Sequence, residues 1–301
     1  MITRISDNAR YNTIAGNISN LQGSTQGVLD QLSTQKKINQ PSDDPEGTTM
    51  VLNLHAAGAA IDQYKENIIS GETWIKTTEI NLNGINDLVT LAQGVAQNAE
   101  GGSAADRVAA ADSIQTISDQ ILSFANAELD GRYMFSGAKT DTKPFAMNNT
   151  PPPACIYSGD SQSLNINIGQ NSSIGYNLTG DAVFPASAGG GVALFETLDA
   201  LKAALQANDS PAIATALADL KTGGMVVQDN IAKTSAMLSN LEFADSHLTY
   251  LKNTVGSMIS NREDADINKL AAEYQMQILA LNASYSAAAK MNAQSILDFI
   301  R

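Results

Sequence analysis

Apolar side chains recur at alternating steps of three and four residues over most of this chain. The first such stripe consists of Tyr11, Ile14, Ile18, Leu21, Thr25, Val28 and Leu32. This spacing places the side chains on one face of an α-helix and predicts packing against another helix. Gly16, Gly23 and Gly27 interrupt the helix, and each costs about 0.5–1 kcal/mol relative to alanine. We therefore expect this helix to depend on packing for its stability.

A helix-breaking segment at residues 41–45, with a proline at each end, terminates the first stripe. A much longer stripe follows at intervals of seven: Leu54, Ile61, Ile68, Ile75, Leu82, Val89 and Ala96. It predicts a helix of about forty residues, or roughly 60 Å. Gly101 and Gly102 mark its expected end, and a second helix is predicted between Ala110 and Phe124.

Residues 133–191 have a different texture, with five of the eight prolines and short alternating runs. Residues 164–168 alternate strictly and predict a half-buried strand, and residues 156–157 and 174–178 predict two more. The prolines at 151–153 indicate an extended connector, and the glycines at 189–191 mark the exit. We interpret this segment as a small β-rich insert.

The helical pattern resumes after the insert. Short helices are predicted at residues 194–205 and 213–220, and Gly223 and Gly224 are interpreted as a break. Longer stripes then run over residues 237–258 and 267–288. Long helices on both sides of the insert can bury their stripes if the chain doubles back on itself.

The predicted fold is therefore mainly α with a small β-rich insert, in an elongated antiparallel bundle of long helices. Three domains are expected. Residues 1–42 with 259–301 form a terminal helical assembly domain, residues 43–132 with 192–258 form a rod of long helices, and residues 133–191 form an outer β-rich domain. The two chain ends would lie together at one tip of the rod, and the insert at the other.

Composition sharpens this picture and excludes several functions. The 43 alanines and 5% aromatic residues suit closely packed helices better than bulky pockets. The net charge is −13, and residues 46–256 hold −12 of it. Nucleic acid and anionic membranes are therefore disfavoured partners. No apolar run approaches the ~18 residues of a membrane span, and no signal-peptide stretch is visible, which taken alone suggests the cytoplasm.

Residues that could carry chemistry are few. Cys155 is the single cysteine and is interpreted as a small apolar residue; His55 and His247 are interpreted as helix-surface residues. The acidic pairs Asp43 with Asp44 and Asp264 with Asp266 stand at expected helix starts, where capping explains them. We predict no catalytic residue, no metal ligand and no cofactor, and hence no enzyme.

The two terminal stripes are instead the candidate functional site. Both are apolar and nearly neutral in charge, so we expect them to become ordered and buried on association. The predicted assembly seam consists of Ile14, Ile18, Leu21, Val28, Leu32, Leu270, Tyr274, Ile278, Leu281 and Tyr285.

Several segments carry a resemblance to a known family over nearly the whole chain. They are residues 4–6, 32–38 with 41–45, 74–79, 130–137 with 140–145, and 270–300. On these residues the chain resembles the bacterial flagellin superfamily. Residues 157–160 and 179–184 look closer to its junction-protein branch than to filament flagellin. Gln35 departs from the pattern, because the family often has glycine there, and a cysteine such as Cys155 is unusual.

The resemblance implies a structural protein of the flagellar axis outside the cell, secreted through the flagellar export apparatus without a cleaved signal. Its implied partners are further copies of itself, a neighbouring hook-associated protein, flagellin, and an export chaperone that binds the C-terminal region. Two alternatives stay open at this point. The chain could be a minor filament flagellin, or a surface binding module whose adhesive part is the insert.

Overall fold

The computed structural model describes residues 2–148, 154–187 and 192–299, with side chains described between Tyr11 and Lys290 in these ranges. The predicted connector at 151–153 and the exit at 189–191 lie outside the described residues. In chain order the helices are α1 (Ile2–Thr34), α2 (Pro45–Glu100), α3 (Ala104–Ala125), α4 (Gly180–Val183), α5 (Ala193–Ala207), α6 (Ser210–Glu263) and α7 (Ile267–Phe299). The predicted class, mainly α with a small β-rich insert, is confirmed. Among the described helices, none has the length and apolarity needed to cross a bilayer.

The helix ends follow the capping residues of the sequence. Asp44 caps α2 by accepting a hydrogen bond from the Gly47 N–H at 2.9 Å, and Pro45 occupies the first helical position. Asp266 accepts from the Lys269 N–H at 3.0 Å and caps α7 in the same way. Gly102 follows the end of α2, as predicted. These caps use carboxylates that a search for catalytic pairs would otherwise single out.

One predicted break is wrong: α6 runs without interruption through Gly223 and Gly224 for 54 residues. A Cβ atom on Gly224 would lie 3.2 Å from Cγ1 of Val89 on α2. Glycine therefore lets the two helix backbones approach closely at this point. The packing that this close approach permits offsets the cost of about 1 kcal/mol that glycine carries inside a helix.

The insert contains short antiparallel hairpins rather than one sheet. The strands are β1 (Glu128–Leu129), β2 (Arg132–Tyr133), β3 (Phe145–Asn148), β4 (Ala154–Tyr157), β5 (Asn165–Gly169) and β6 (Ser172–Gly175). They pair as β1–β2, β3–β4 and β5–β6. Asp130 and Gly131 form the tight β1–β2 turn with positive φ angles of 52° and 73°. The three strands predicted from alternation correspond to β4, β5 and β6.

The chain divides into two compact units. One contains residues 1–60 and 251–301, and the other contains residues 61–250. Helices α2 and α6 contribute residues to both units. The three-domain division proposed from the sequence stays a prediction.

The core of the unit 61–250 joins the insert to the helices. Phe135, Phe145, Phe184 and Phe195 are almost fully buried and contact one another at centroid distances of 5.2–6.5 Å. The packing of these rings is worth about 0.5–1.5 kcal/mol per pair beyond the area they bury. The insert is thus part of the same core as the helices, since these aromatic rings come from both.

Tyr157 ties three loops of this core together. Its hydroxyl contacts the carbonyl oxygens of Phe135 and Asp160 at 3.0 and 2.8 Å, and accepts a hydrogen bond from the Gly180 N–H at 3.3 Å. Burial raises the pKa of Tyr157 to about 12. The hydroxyl therefore stays protonated and remains a donor over the whole physiological range.

We predict that Tyr157→Phe lowers the free energy of unfolding by about 1–2 kcal/mol, because the Asp160 carbonyl loses its donor. The Phe135 carbonyl and the Gly180 N–H keep each other as partners. The melting temperature should fall by several degrees. Tyr133→Phe is the matched control, since the Tyr133 hydroxyl bonds an exposed carboxylate of Glu128. Equal melting temperatures for both variants would contradict a structural role for the Tyr157 hydroxyl.

A half-buried carboxylate predicts how stability responds to pH. Burial raises the pKa of Asp199 in α5, and it likewise raises the pKa of the nearby Cys155 thiol to about 12. A carboxyl whose folded-state pKa is raised stabilises the fold while it is protonated and loses that stabilisation as pH rises through the raised pKa.

We expect Asp199→Asn to raise the melting temperature at neutral pH by a small amount, because the amide carries no charge to desolvate. The difference from wild type should shrink as pH falls below the raised pKa. Thermal denaturation between acidic and neutral pH measures this, and a difference that is constant with pH would contradict the assignment.

Candidate functional site

The structure brings the two terminal stripes together, because α1 packs against α7 within the chain. Val28 and Leu270 are buried, each with 8% of its surface exposed. Seven other seam residues are half-buried: Ile14, Ile18, Leu21, Leu32, Tyr274, Ile278 and Leu281. Tyr285 is 44% exposed, and its hydroxyl accepts a hydrogen bond from Gln22 Nε2 at 2.6 Å.

Nine of the ten seam side chains are therefore at least half-buried where α1 packs against α7 inside one chain. A stripe that is already covered by its own partner helix holds α1 to α7, and only its remaining exposed area is available to another molecule. The seam positions the terminal helices, and the surface that would meet a neighbour has to be sought on their outer faces.

Residues 35–37, which follow α1, pair through backbone hydrogen bonds with residues 263–265, which precede α7. We call this pairing the clasp; it joins the end of α1 to the beginning of α7. The Lys37 N–H donates to the Glu263 carbonyl at 2.6 Å, and the Ala265 N–H donates to the Gln35 carbonyl at 2.9 Å. Gln35 adopts a φ of +59°, a conformation that favours glycine. This geometry gives a physical reason for the glycine that the flagellin superfamily often has at this position.

Charge reinforces the clasp on one side. Lys36 Nζ lies 2.6 Å from Glu263 Oε1, and His55 Nε2 lies 3.5 Å from Glu263 Oε2. Glu263 is the less exposed partner, with 12% of its side chain exposed. A carboxylate in that position needs its cation, because an unpaired buried charge is costly.

The outer face of α7 carries the exposed apolar residues that the sequence analysis missed. Met276 and Leu279 are 66% and 71% exposed, and Ala272 and Ala283 extend the same face in steps of four, three and four. This second heptad stripe is visible in the sequence, but it is interleaved with the stronger Leu270–Tyr285 stripe. We call Ala272, Met276, Leu279 and Ala283 the outer α7 face.

Several positions on the outward face of α1 are glycines and carry no side chain. A Cβ atom added at Gly16, Gly23 or Gly27 would meet nothing within 4 Å in the described structure. Tyr11 on the same helix is 58% exposed. The glycines thus leave room along α1 for another helix to approach closely, as small residues do at helix interfaces.

The described residues offer packing surfaces rather than reactive groups. Within them, no group of three or more His, Cys, Asp or Glu side chains is arranged to hold a metal ion. His55 and His247 are exposed on α2 and α6, and Cys155 is buried in β4. The candidate site is the surface of the two paired terminal helices.

Helices α1 and α7 pair with each other, and the β-rich insert lies between them in the sequence. Residues 5–140 match the family of bacterial flagellin N-terminal helical regions. The chain is 28% identical to flagellar hook-associated protein 3 of Escherichia coli, over 98% of this chain and 99% of that protein. It is 27% identical to flagellar hook-associated protein 3 of Salmonella typhimurium, over 99% of this chain and 100% of that protein.

Solved structures agree at the level of the fold. The flagellar hook associated protein-3 of Legionella pneumophila matches with a TM-score of 0.62 and 15% identity, covering 70% of this chain and 98% of that one. The family match and the two full-length relatives confirm the resemblance to the flagellin superfamily. The relatives are structural proteins of the bacterial flagellum rather than enzymes, as predicted for this chain.

Two leucines on opposite sides of α7 separate the seam from the outer face. Leu281→Asp places a charge against α1 and should loosen both terminal helices, because the carboxylate cannot be solvated there. Leu279→Asp, two residues away and about 200° around the helix, should leave the pair intact. Hydrogen exchange on the monomer measures both. Equal loss of protection in the two variants would contradict the distinction.

Proposed function

We propose that this chain forms the junction between the hook and the filament of the bacterial flagellum by polymerising through its terminal helices. The outer α7 face is the observation that carries the proposal. Burying one such leucine or methionine stabilises a contact by about 1.5–3 kcal/mol, and a ring of subunits repeats that gain at every interface. The full-length similarity to hook-associated protein 3 supports the same role.

The distribution of charge supports an inner position for the terminal helices. Residues 1–60 with 251–301 contain nine Lys or Arg and ten Asp or Glu, whereas residues 61–250 contain nine and 21. The first unit is therefore nearly neutral and can be packed against copies of itself. The second unit carries −12 and is better placed in water, where its self-repulsion is screened.

The proposed partners follow from this position. Further copies of the chain complete the junction, a neighbouring hook-associated protein lies on one side, and flagellin lies on the other. The chain is secreted to the extracellular flagellum, and an export chaperone binds its C-terminal region before export. The exposed outer α7 face would have to be protected from aggregation until then, which fits such a chaperone.

A deletion strain tests the junction role directly. We expect it to build hooks but to release flagellin into the medium, because filaments lack their attachment point. Electron microscopy of the cells and assay of flagellin in the medium measure this. Intact filaments on the deletion strain would overturn the proposal, and growth of filament fragments on addition of the purified chain would indicate a minor filament flagellin instead.

Complementation of that strain tests the outer α7 face. Leu279→Asp should fail to restore filaments although the variant is secreted, because the carboxylate would be buried at the interface between subunits. Asn282→Asp is the matched control, since it adds the same charge at an exposed position on the flank of α7. Filaments restored equally by both variants would show that the outer α7 face is not in the assembly.

A further inference from the structure

A pocket of about 410 Å³ opens in the unit 61–250 between α2 and two hairpins of the insert. Its lining includes Ile69 and Thr73 from α2, Arg132 from β2, Ile166 from β5 and Tyr176 after β6. The volume lies within the roughly 300–1,000 Å³ range of pockets that hold ligands. We call it the Trp74 pocket, because the single tryptophan of the chain forms one wall.

The Trp74 pocket is lined by aromatic rings and by one residue of each charge, Arg132 and Asp130. The Arg132 guanidinium carbon lies 5.1 Å from the centroid of the Trp74 ring, and Tyr176 meets the same ring edge-on at 5.9 Å. Throughout the described ranges, the Arg132 guanidinium makes this stacking contact but no hydrogen bond or ion pair. A second aromatic ring that entered the pocket would gain apolar contacts and a cation–π interaction with Arg132.

Phe243 on α6 is the most exposed large apolar side chain among the described residues, at 77%. Its neighbours along the same face are small: Ala236, Ser239 and Ser246 are all exposed. The ring therefore projects beyond a low, uncharged strip of helix. In a unit with a net charge of −12, such a strip is a place where another acidic unit can approach without like-charge repulsion.

Phe243 and the Trp74 pocket lie at the same level of the α2–α6 pair but on different sides. A Cβ atom on Gly71, which lines the pocket, would lie 3.3 Å from Cδ1 of the fully buried Leu241. Phe243 follows Leu241 by two residues, or about 200° around the helix, and so points away from α2. The ring therefore does not reach the pocket of its own chain.

We propose that Phe243 of one copy inserts into the Trp74 pocket of a second copy, with Arg132 stacked between Trp74 and the incoming ring. Knob and pocket are different surfaces, so the contact is heterologous and repeats from copy to copy as a ring or helix. This extends the proposed axial assembly and rests on it for its biological setting. One buried aromatic ring covers about 150–250 Å², far below the ~1,600 Å² of a stable complex, so the contact is weak in a single pair.

Cysteine crosslinking of the full-length chain at millimolar concentration tests the contact. The double variant Ser246→Cys with Thr73→Cys keeps the Phe243 ring and places one thiol beside it and one at the pocket rim. It should yield a ladder of crosslinked oligomers, because each copy offers both surfaces. Native Cys155 is fully buried and stays unreactive. A product limited to dimers, formed equally by Ser246→Cys alone, would indicate contact between two α6 helices and overturn the proposal.

Mixing two variants distinguishes a heterologous contact from any symmetric one. Phe243→Ser lacks the knob, and Ile69→Glu places a charge in the pocket. Each should lose the concentration-dependent change in Trp74 fluorescence of the wild type, with association weakened about tenfold or more. Their mixture should recover the change, since one intact knob then meets one intact pocket. No recovery in the mixture would overturn the proposal.

Matched controls lie on the same helices. Tyr250→Ser removes an exposed ring seven residues along α6, and Ile80→Glu places the same charge at an exposed isoleucine of α2 outside the pocket. Both should associate like wild type, and loss in either would overturn the assignment. These assays use the purified chain and need no flagellum, so failure of the junction role would leave their outcome unchanged. Conversely, failure of the pocket contact would leave the expected result for the deletion strain unchanged.

Discussion

Every long helix of this chain carries an apolar stripe that has to be covered, and the fold follows from how those stripes are paired. Leu82, Ile85 and Val89 on α2 are fully buried or nearly so, as are Leu220, Val227 and Leu241 on α6. A helix of more than fifty residues is stable only because such a stripe is packed along its length, since propensity alone contributes little. The insert completes this cover by adding its phenylalanine rings to the core of the unit 61–250.

Glycine has opposite uses in the two units, and packing explains the difference. At Gly71 and Gly224 a Cβ atom would crowd Leu241 and Val89, so glycine there serves close packing inside the chain. At Gly16 and Gly23 the same atom would meet nothing in the described structure. Those two residues lower the stability of α1 without an internal benefit. An external one, close approach of another subunit, is consistent with the proposed assembly.

Periodicity predicted the helices and the terminal pairing because a heptad repeat states both the helix and the face it must bury. It did not predict that α6 continues through Gly224, because the reason for that glycine is Val89, which lies far away in the chain. The β1–β2 hairpin was also missed, since strands of two residues are too short to show alternation. Local sequence does not report contacts of this kind.

The exposed faces were the least accessible part of the prediction. The assignment of the stripe through Leu281 to an assembly seam stays a prediction. In the structure α1 packs against α7, and the neighbouring Leu279 is left at 71% exposure. A pattern of apolar positions identifies residues to be buried but not what buries them. The pairing of the Leu281 stripe with α1 has to be known before the outer α7 face can be seen to lack a partner among the described residues.

Contacts between copies that are weak one by one, combined with charge repulsion between acidic units, favour association only when the copies are held in a fixed arrangement. A net charge of −12 on the unit 61–250 opposes random association, and uncharged places such as the strip around Phe243 are where two such units can touch. Each contact is too small to hold a pair in dilute solution. In the proposed assembly the terminal helices align the copies, so the same contacts act at high effective concentration and many small gains add up along the lattice. Order in that proposed assembly depends on the near-neutral ends, while specificity depends on the few uncharged places of the acidic unit.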